Sequence, residues 1–89
     1  MTQQAVLEVV LRHLHELVPG TATAEIHLDT PLVELGADSL DLVDVASRSM
    51  QEMSVTIPRS EIGRIRTLGD LVDVLVRSWE SANTQQASV

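Results

Sequence analysis

Ser39 is the residue whose setting most invites chemistry. It lies in the run Leu35-Gly36-Ala37-Asp38-Ser39-Leu40, which puts a hydroxyl right after a glycine turn, at the start of a helix and beside an acidic face. Backbone N–H groups at a helix start are unsatisfied and the macrodipole favours negative charge there, so such a hydroxyl is suited to carrying an anionic substituent. The plainer role is an N-cap, for which Asp38 and Ser39 are both good types. A nucleophilic serine would need a base. His13 and His15 are two apart on a helix and point in different directions, and His27 sits in a loop, so all three read as surface histidines. Glu34, Asp38, Asp41 and Asp44 lack the glycine-centred spacing of a calcium loop and read as a solvated face. Asp41 and Asp44, three apart, are neighbours on one helix surface, with Leu40 as an exposed apolar residue beside them and Met50 near the edge of the same face.

The elements that position Ser39 follow from periodicity and capping. Leu7, Val10, Leu11, Leu14 and Leu17 form the stripe of an amphipathic helix from Gln3 to Val18, ended by Pro19-Gly20. A long connection to Asp38 follows, too long to lack structure of its own; Thr30-Pro31 predicts a helical turn over Pro31 to Leu35, pinned by Leu32 and Leu35 and closed by Gly36. The helix starting at Asp38 or Ser39 turns Leu42, Val45, Ala46, Ser49 and Met53 inward, Asp41 and Asp44 outward. Val55-Thr56-Ile57, closed by Pro58, reads as an extended connector without a partner strand. Ser60 is expected to cap a short turn holding Glu61, Ile62 and Ile65. Thr67 with Asp70 three residues later is a capping box for a last helix carrying Leu71, Val72, Leu75, Val76 and Trp79. The expected fold is therefore all-α: three longer helices, one short helix and a long loop between helices one and two. Residues 1–80 form one domain, and 81–89, small and polar, a disordered tail.

Composition narrows the function classes. At 89 residues the chain supports one compact core, with little room for a deep enclosed active site, which weighs against catalysis. Six basic against thirteen acidic residues give a net charge of −7, which disfavours nucleic acid and favours partners with basic patches. Cysteine is absent, so any thiol chemistry is imported. No apolar run is long enough to span a bilayer and no signal-like N-terminus is present, so the expectation is a cytoplasmic protein without membrane attachment. The absence of a long heptad pattern points to a monomer.

The run LGADSL, followed by DLVDVA and then IPRSEIGRIRTLGDLVDVL, resembles the acyl carrier protein family from Gln3 to Trp79. The resemblance implies a four-helix bundle of that type. It also implies that Ser39, directly after Asp38, is joined through a phosphodiester to 4'-phosphopantetheine from coenzyme A. The implied partners are a phosphopantetheinyl transferase that loads Ser39, and an acyltransferase, adenylating enzyme or ketosynthase that charges or uses the thiol. Leu40, Asp41 and Asp44 are the implied partner-facing residues, and Met50, near the edge of that face, is placed to touch either a partner or the tethered cargo. The chain departs from the fatty-acid-synthesis pattern at Ser47-Arg48-Ser49-Met50-Gln51-Glu52, where an acidic run is common, and at Arg59 after Pro58. These departures point to a discrete carrier of a dedicated bacterial pathway, such as polyketide or mixed peptide-polyketide synthesis, and a domain cut from a larger synthase would read much the same. An aminoacyl or peptidyl carrier of a nonribosomal pathway, or an unmodified acidic interaction module, are the alternatives.

Overall fold

The computed structural model describes residues 2–18 and 26–87, with side chains to residue 82. Pro19-Gly20 and the first part of the long connection lie outside the described residues. The helices are α1 (Gln3–Leu17), α2 (Ser39–Met53), α3 (Arg59–Ile62) and α4 (Leu68–Ala87), with a 3₁₀ turn at Leu32–Leu35. No strand occurs among the described residues.

α1 starts at Thr2, whose hydroxyl accepts the Ala5 N–H. Its most deeply buried residues are Val6, Val9, Val10 and Leu14, while Leu7, Leu11 and Leu17 pack at the margin. The buried arc is thus rotated from the expected leucine stripe toward two valines, because the apolar face is broad enough for either side to be chosen by packing. α1 packs chiefly on α2 and next on α4. Val45, Ala46, Ser49 and Met53 of α2 and Leu68, Leu71, Val72, Val74 and Leu75 of α4 complete the core.

The capping box of α4 forms as its spacing predicts: Asp70 donates its N–H to the Thr67 hydroxyl at 3.1 Å, and its carboxylate accepts the Thr67 N–H at 3.1 Å. The same oxygen accepts the Arg66 N–H at 3.1 Å. These N–H groups, Arg66 first, hold the Asp70 carboxyl below the ordinary aspartate pKa. α3 begins two residues earlier than a Ser60 cap implies, at Arg59 with Pro58 at the cap position, so Ser60 lies inside it rather than capping it. α4 continues to Ala87, where an irregular tail was expected from Ser81; small and amide residues continue a helix once it has begun.

Met50 is half-buried, packs against the core and accepts the Ile57 N–H on its sulfur at 3.0 Å. It ties the connector after α2 to the bundle. It thus sits on the rim of the core, at the edge of the outward face of α2. His13 also departs from the expected free surface histidine: its Nε2 lies 3.1 Å from a Glu52 carboxylate oxygen, between α1 and α2. Glu52 is gripped at 2.7 Å by both terminal nitrogens of Arg12 as well. This bond lowers the Glu52 pKa and raises that of Arg12, two shifts that agree on one ion pair.

Candidate functional site

The approach to Ser39 is built by the 3₁₀ turn. Leu32 is buried and Leu35 packs at the core margin, as expected, and Gly36 closes the turn in the left-handed region with φ 86°. A side chain at Gly36 would have space, with its nearest contact at 3.9 Å, so the backbone angle is what calls for glycine. Thr30 does not cap this turn; its hydroxyl accepts the His27 N–H at 3.0 Å, and Pro31 stands at the cap position. Ala37 is buried, which anchors the chain immediately before α2.

Of the two candidate caps, Asp38 takes the role. Its backbone is extended, its carboxylate accepts the Asp41 N–H at 2.9 Å, and the Asp41 carboxylate accepts the Asp38 N–H at 3.3 Å. Ser39 is then the first helical residue, exposed, and its hydroxyl makes no hydrogen bond among the described residues. A role as mere N-cap is thereby removed, since the neighbouring carboxylate already does that work.

A groove of roughly 690 Å³ opens beside Ser39, with Pro31, Leu32, Val33, Ala37, Leu42 and Ile65 as its apolar lining and Asp38, Arg66 and Thr67 at its polar edges. Its walls are held by an isolated antiparallel bridge between Pro31 and Thr67, in which Leu32 donates to the Arg66 carbonyl at 2.9 Å and Leu68 to the Thr30 carbonyl at 3.3 Å. Around the mouth, Leu40 is 76% exposed, Val33 75% and Val43 46%. Asp44 is exposed near them, while Asp41 is partly covered by its bond back to Asp38. Leu40, Asp41 and Asp44 thus come together with Ser39, and Met50 lies at the rim further along α2. Val33 and Val43 were missed as exposed apolar residues, although Val43 lies three after Leu40, a spacing that shares a helix face. Arg66 was missed as a groove residue because its place depends on the bridge to Pro31, which no local spacing records. No group of three or more histidine or acidic side chains suited to a metal ion occurs among the described residues.

A family model described as the phosphopantetheine attachment site matches residues 7–75, most of the chain. The chain belongs to this family. Its members are carriers that hold 4'-phosphopantetheine covalently. This carrier is 32% identical to the polyketide biosynthesis acyl-carrier-protein AcpK of Bacillus subtilis (strain 168), over 92% of this chain and all of that protein. It is 30% identical to an acyl carrier protein of Acidothermus cellulolyticus, over 84% and 94% of the two chains. Among solved structures, the carrier superposes with a TM-score of 0.75 and 25% identity on a chain of the curacin biosynthetic pathway HMG synthase in complex with acetyl donor-ACP, covering 84% of this chain and 96% of that one. The acetyl actinorhodin acyl carrier protein of Streptomyces coelicolor matches with a TM-score of 0.72 and 28% identity, covering 84% and 91%. The all-helical bundle of this carrier is the fold of these proteins.

The carrier's own residues fit the group. An attachment oxygen must be exposed and free of internal bonds, and the arm that follows needs an open path; Ser39 meets the first need and the groove the second.

Proposed function

We propose that this carrier holds its acyl cargo through Ser39, in a polyketide or related natural-product pathway. The observation that carries the site is that Asp38 caps α2 and leaves the exposed Ser39 hydroxyl with no bond of its own, at the mouth of the groove. When bound, 4'-phosphopantetheine supplies a thiol at the end of a long arm, on which an acyl group rides as a thioester. Asp38 and Asp41 fix the backbone at the attachment point, and Gly36 and Ala37 set the direction from which it is approached. Tethering raises the effective concentration of cargo at each docked enzyme to the order of millimolar.

Catalysis then belongs to the visiting enzymes: the transferase that loads Ser39, and an acyltransferase, adenylating enzyme or ketosynthase. The exposed Leu40, Val33 and Val43 offer an apolar contact to them, and Asp44, with the net charge of −7, steers basic patches toward it. Docking of this kind is weak and fast, with the carrier as a monomer in the cytoplasm. The carrier unit spans residues 1–80, and Trp79 near its end packs against the core. The pathway is supported by the likeness to AcpK and to the actinorhodin carrier.

The test offers the arm-bearing chain malonyl-coenzyme A with a polyketide acyltransferase, and in parallel a panel of amino acids with adenylating enzymes, and reads the mass of the chain. Acyl loading without aminoacyl loading is the expected result. Aminoacyl loading alone would make the protein a carrier of a peptide pathway.

A further inference from the structure

The start of α2 is poorly supplied for a third negative group. Asp38 and Asp41 already place two carboxylates there, and the Asp41 N–H, one of the few free donors of the first turn, is taken by Asp38 at 2.9 Å. A phosphodiester on Ser39 therefore meets a helix start whose positive end is already partly answered by two carboxylates. The opposite wall of the same groove carries Arg66, the one cation among the residues that line it.

Arg66 is well placed for that charge. Its carbonyl accepts the Leu32 N–H at 2.9 Å, so its backbone is fixed to the 3₁₀ turn that lines the groove, and its N–H is held by Asp70 at 3.1 Å. Its side chain is exposed and makes no ion pair among the described residues, in contrast to Arg12, Arg48 and Arg77, each of which has a carboxylate partner. The nearby Asp70 carboxylate accepts its hydrogen bonds from the backbone N–H groups of Arg66 and Thr67, and its attraction to the Arg66 charge, the smallest cause of its lowered pKa, comes without a direct ion pair.

We propose that Arg66 anchors the attached arm, its guanidinium donating to the phosphodiester oxygens across the groove and laying the arm along Leu32, Leu42 and Ile65 while the carrier is undocked. The proposal rests on the Ser39 reading. A guanidinium fork matches two phosphate oxygens, which a lysine ammonium does not, and the apolar lining suits the methyl-bearing part of the arm. Arg66 is a positioning residue: it bonds neither thiol nor cargo.

The test compares apo and arm-bearing protein by nuclear magnetic resonance, with loading verified by intact mass, in wild type, Arg66→Gln and Arg66→Lys. Because Arg66 is exposed, the amide spectra of the three apo proteins should match outside residues 65–67. Loading of the wild type is expected to shift the Arg66 Nε–Hε resonance, and the phosphorus line of the arm should be sharper and displaced in Arg66→Gln, with Arg66→Lys between the two. High salt should move the wild type toward Arg66→Gln. A chain that gains the arm by mass yet shows the same phosphorus line and relaxation in wild type and Arg66→Gln overturns the proposal and leaves the Ser39 reading standing. A chain that gains no mass overturns both.

Discussion

Replacing Gly69 with alanine sets helix propensity against a backbone contact, and the structure decides the sign. Gly69 is the second residue of α4 and donates its N–H to the Leu28 carbonyl at 2.6 Å. A Cβ at this position would lie 2.8 Å from that oxygen and 3.4 Å from the Leu28 carbonyl carbon and Cβ. The obstructing atoms are backbone, so relief requires the loop to move. Alanine gains about 0.5–1 kcal/mol over glycine in a helix interior, and less in the first turn. Displacing Leu28 loses a hydrogen bond worth about 1 kcal/mol and strains the adjoining Leu68-to-Thr30 and Leu32-to-Arg66 bonds, each of similar value. The expected net loss is about 1–2 kcal/mol, which for a domain of this size lowers the Tm by roughly 4–16 °C. Urea unfolding followed by circular dichroism measures it, with the m-value as a check that the unfolding transition is unchanged. A Gly69→Ala chain as stable as the wild type or more so would refute the reasoning, since propensity would then have prevailed over a contact that gives way.

Asp70→Asn should lower stability at neutral pH by about 1 kcal/mol through the weakened cap. The native carboxyl lies below its unfolded value, so its contribution is complete above the ordinary aspartate range of about 4 and is lost as pH falls through the lowered native value. The gap between wild type and variant, read from urea midpoints, should therefore close toward low pH; a gap that widens on acidification would contradict the assignment. Leu75→Ala, at a fully buried site on α4, should cost about 2–5 kcal/mol, whereas Val33→Ser, 75% exposed at the groove mouth, should stay within about 0.5 kcal/mol. Thermal unfolding checks the pair, and comparable losses would mean that Val33 is part of the core.

The local signals in the sequence carried most of this structure. Thr67 and Asp70 stand at the spacing of a capping box and form one, and Leu71, Val72 and Leu75 mark the buried face of α4. Gly36, Asp38 and Ser39 read as a turn, a candidate cap and a hydroxyl at a helix start, although Asp38 and Ser39 were equivalent as caps until the backbone conformation chose between them, and the burial of Ala37 came only from the structure. What local pattern could not supply are the features made by distant contact. The rotation of α1 toward Val6 and Val9 depends on how α2 and α4 seat against it. The sulfur of Met50 is committed to Ile57 only because the connector folds back, and Arg66 reaches the groove only because Pro31 and Thr67 pair. His13 likewise became a partner of Glu52 through the packing of α1 on α2.

Attachment at Ser39 is tested most directly by incubating the apo chain with coenzyme A and a broad-specificity phosphopantetheinyl transferase, then mapping the added mass by fragmentation of the peptide that carries Asp38, Ser39 and Leu40. One phosphopantetheine per chain is expected, located on Ser39, and none on Ser39→Ala with the same helical content. A modification on another residue, or a Ser39→Ala chain loaded as readily as the wild type, would contradict it.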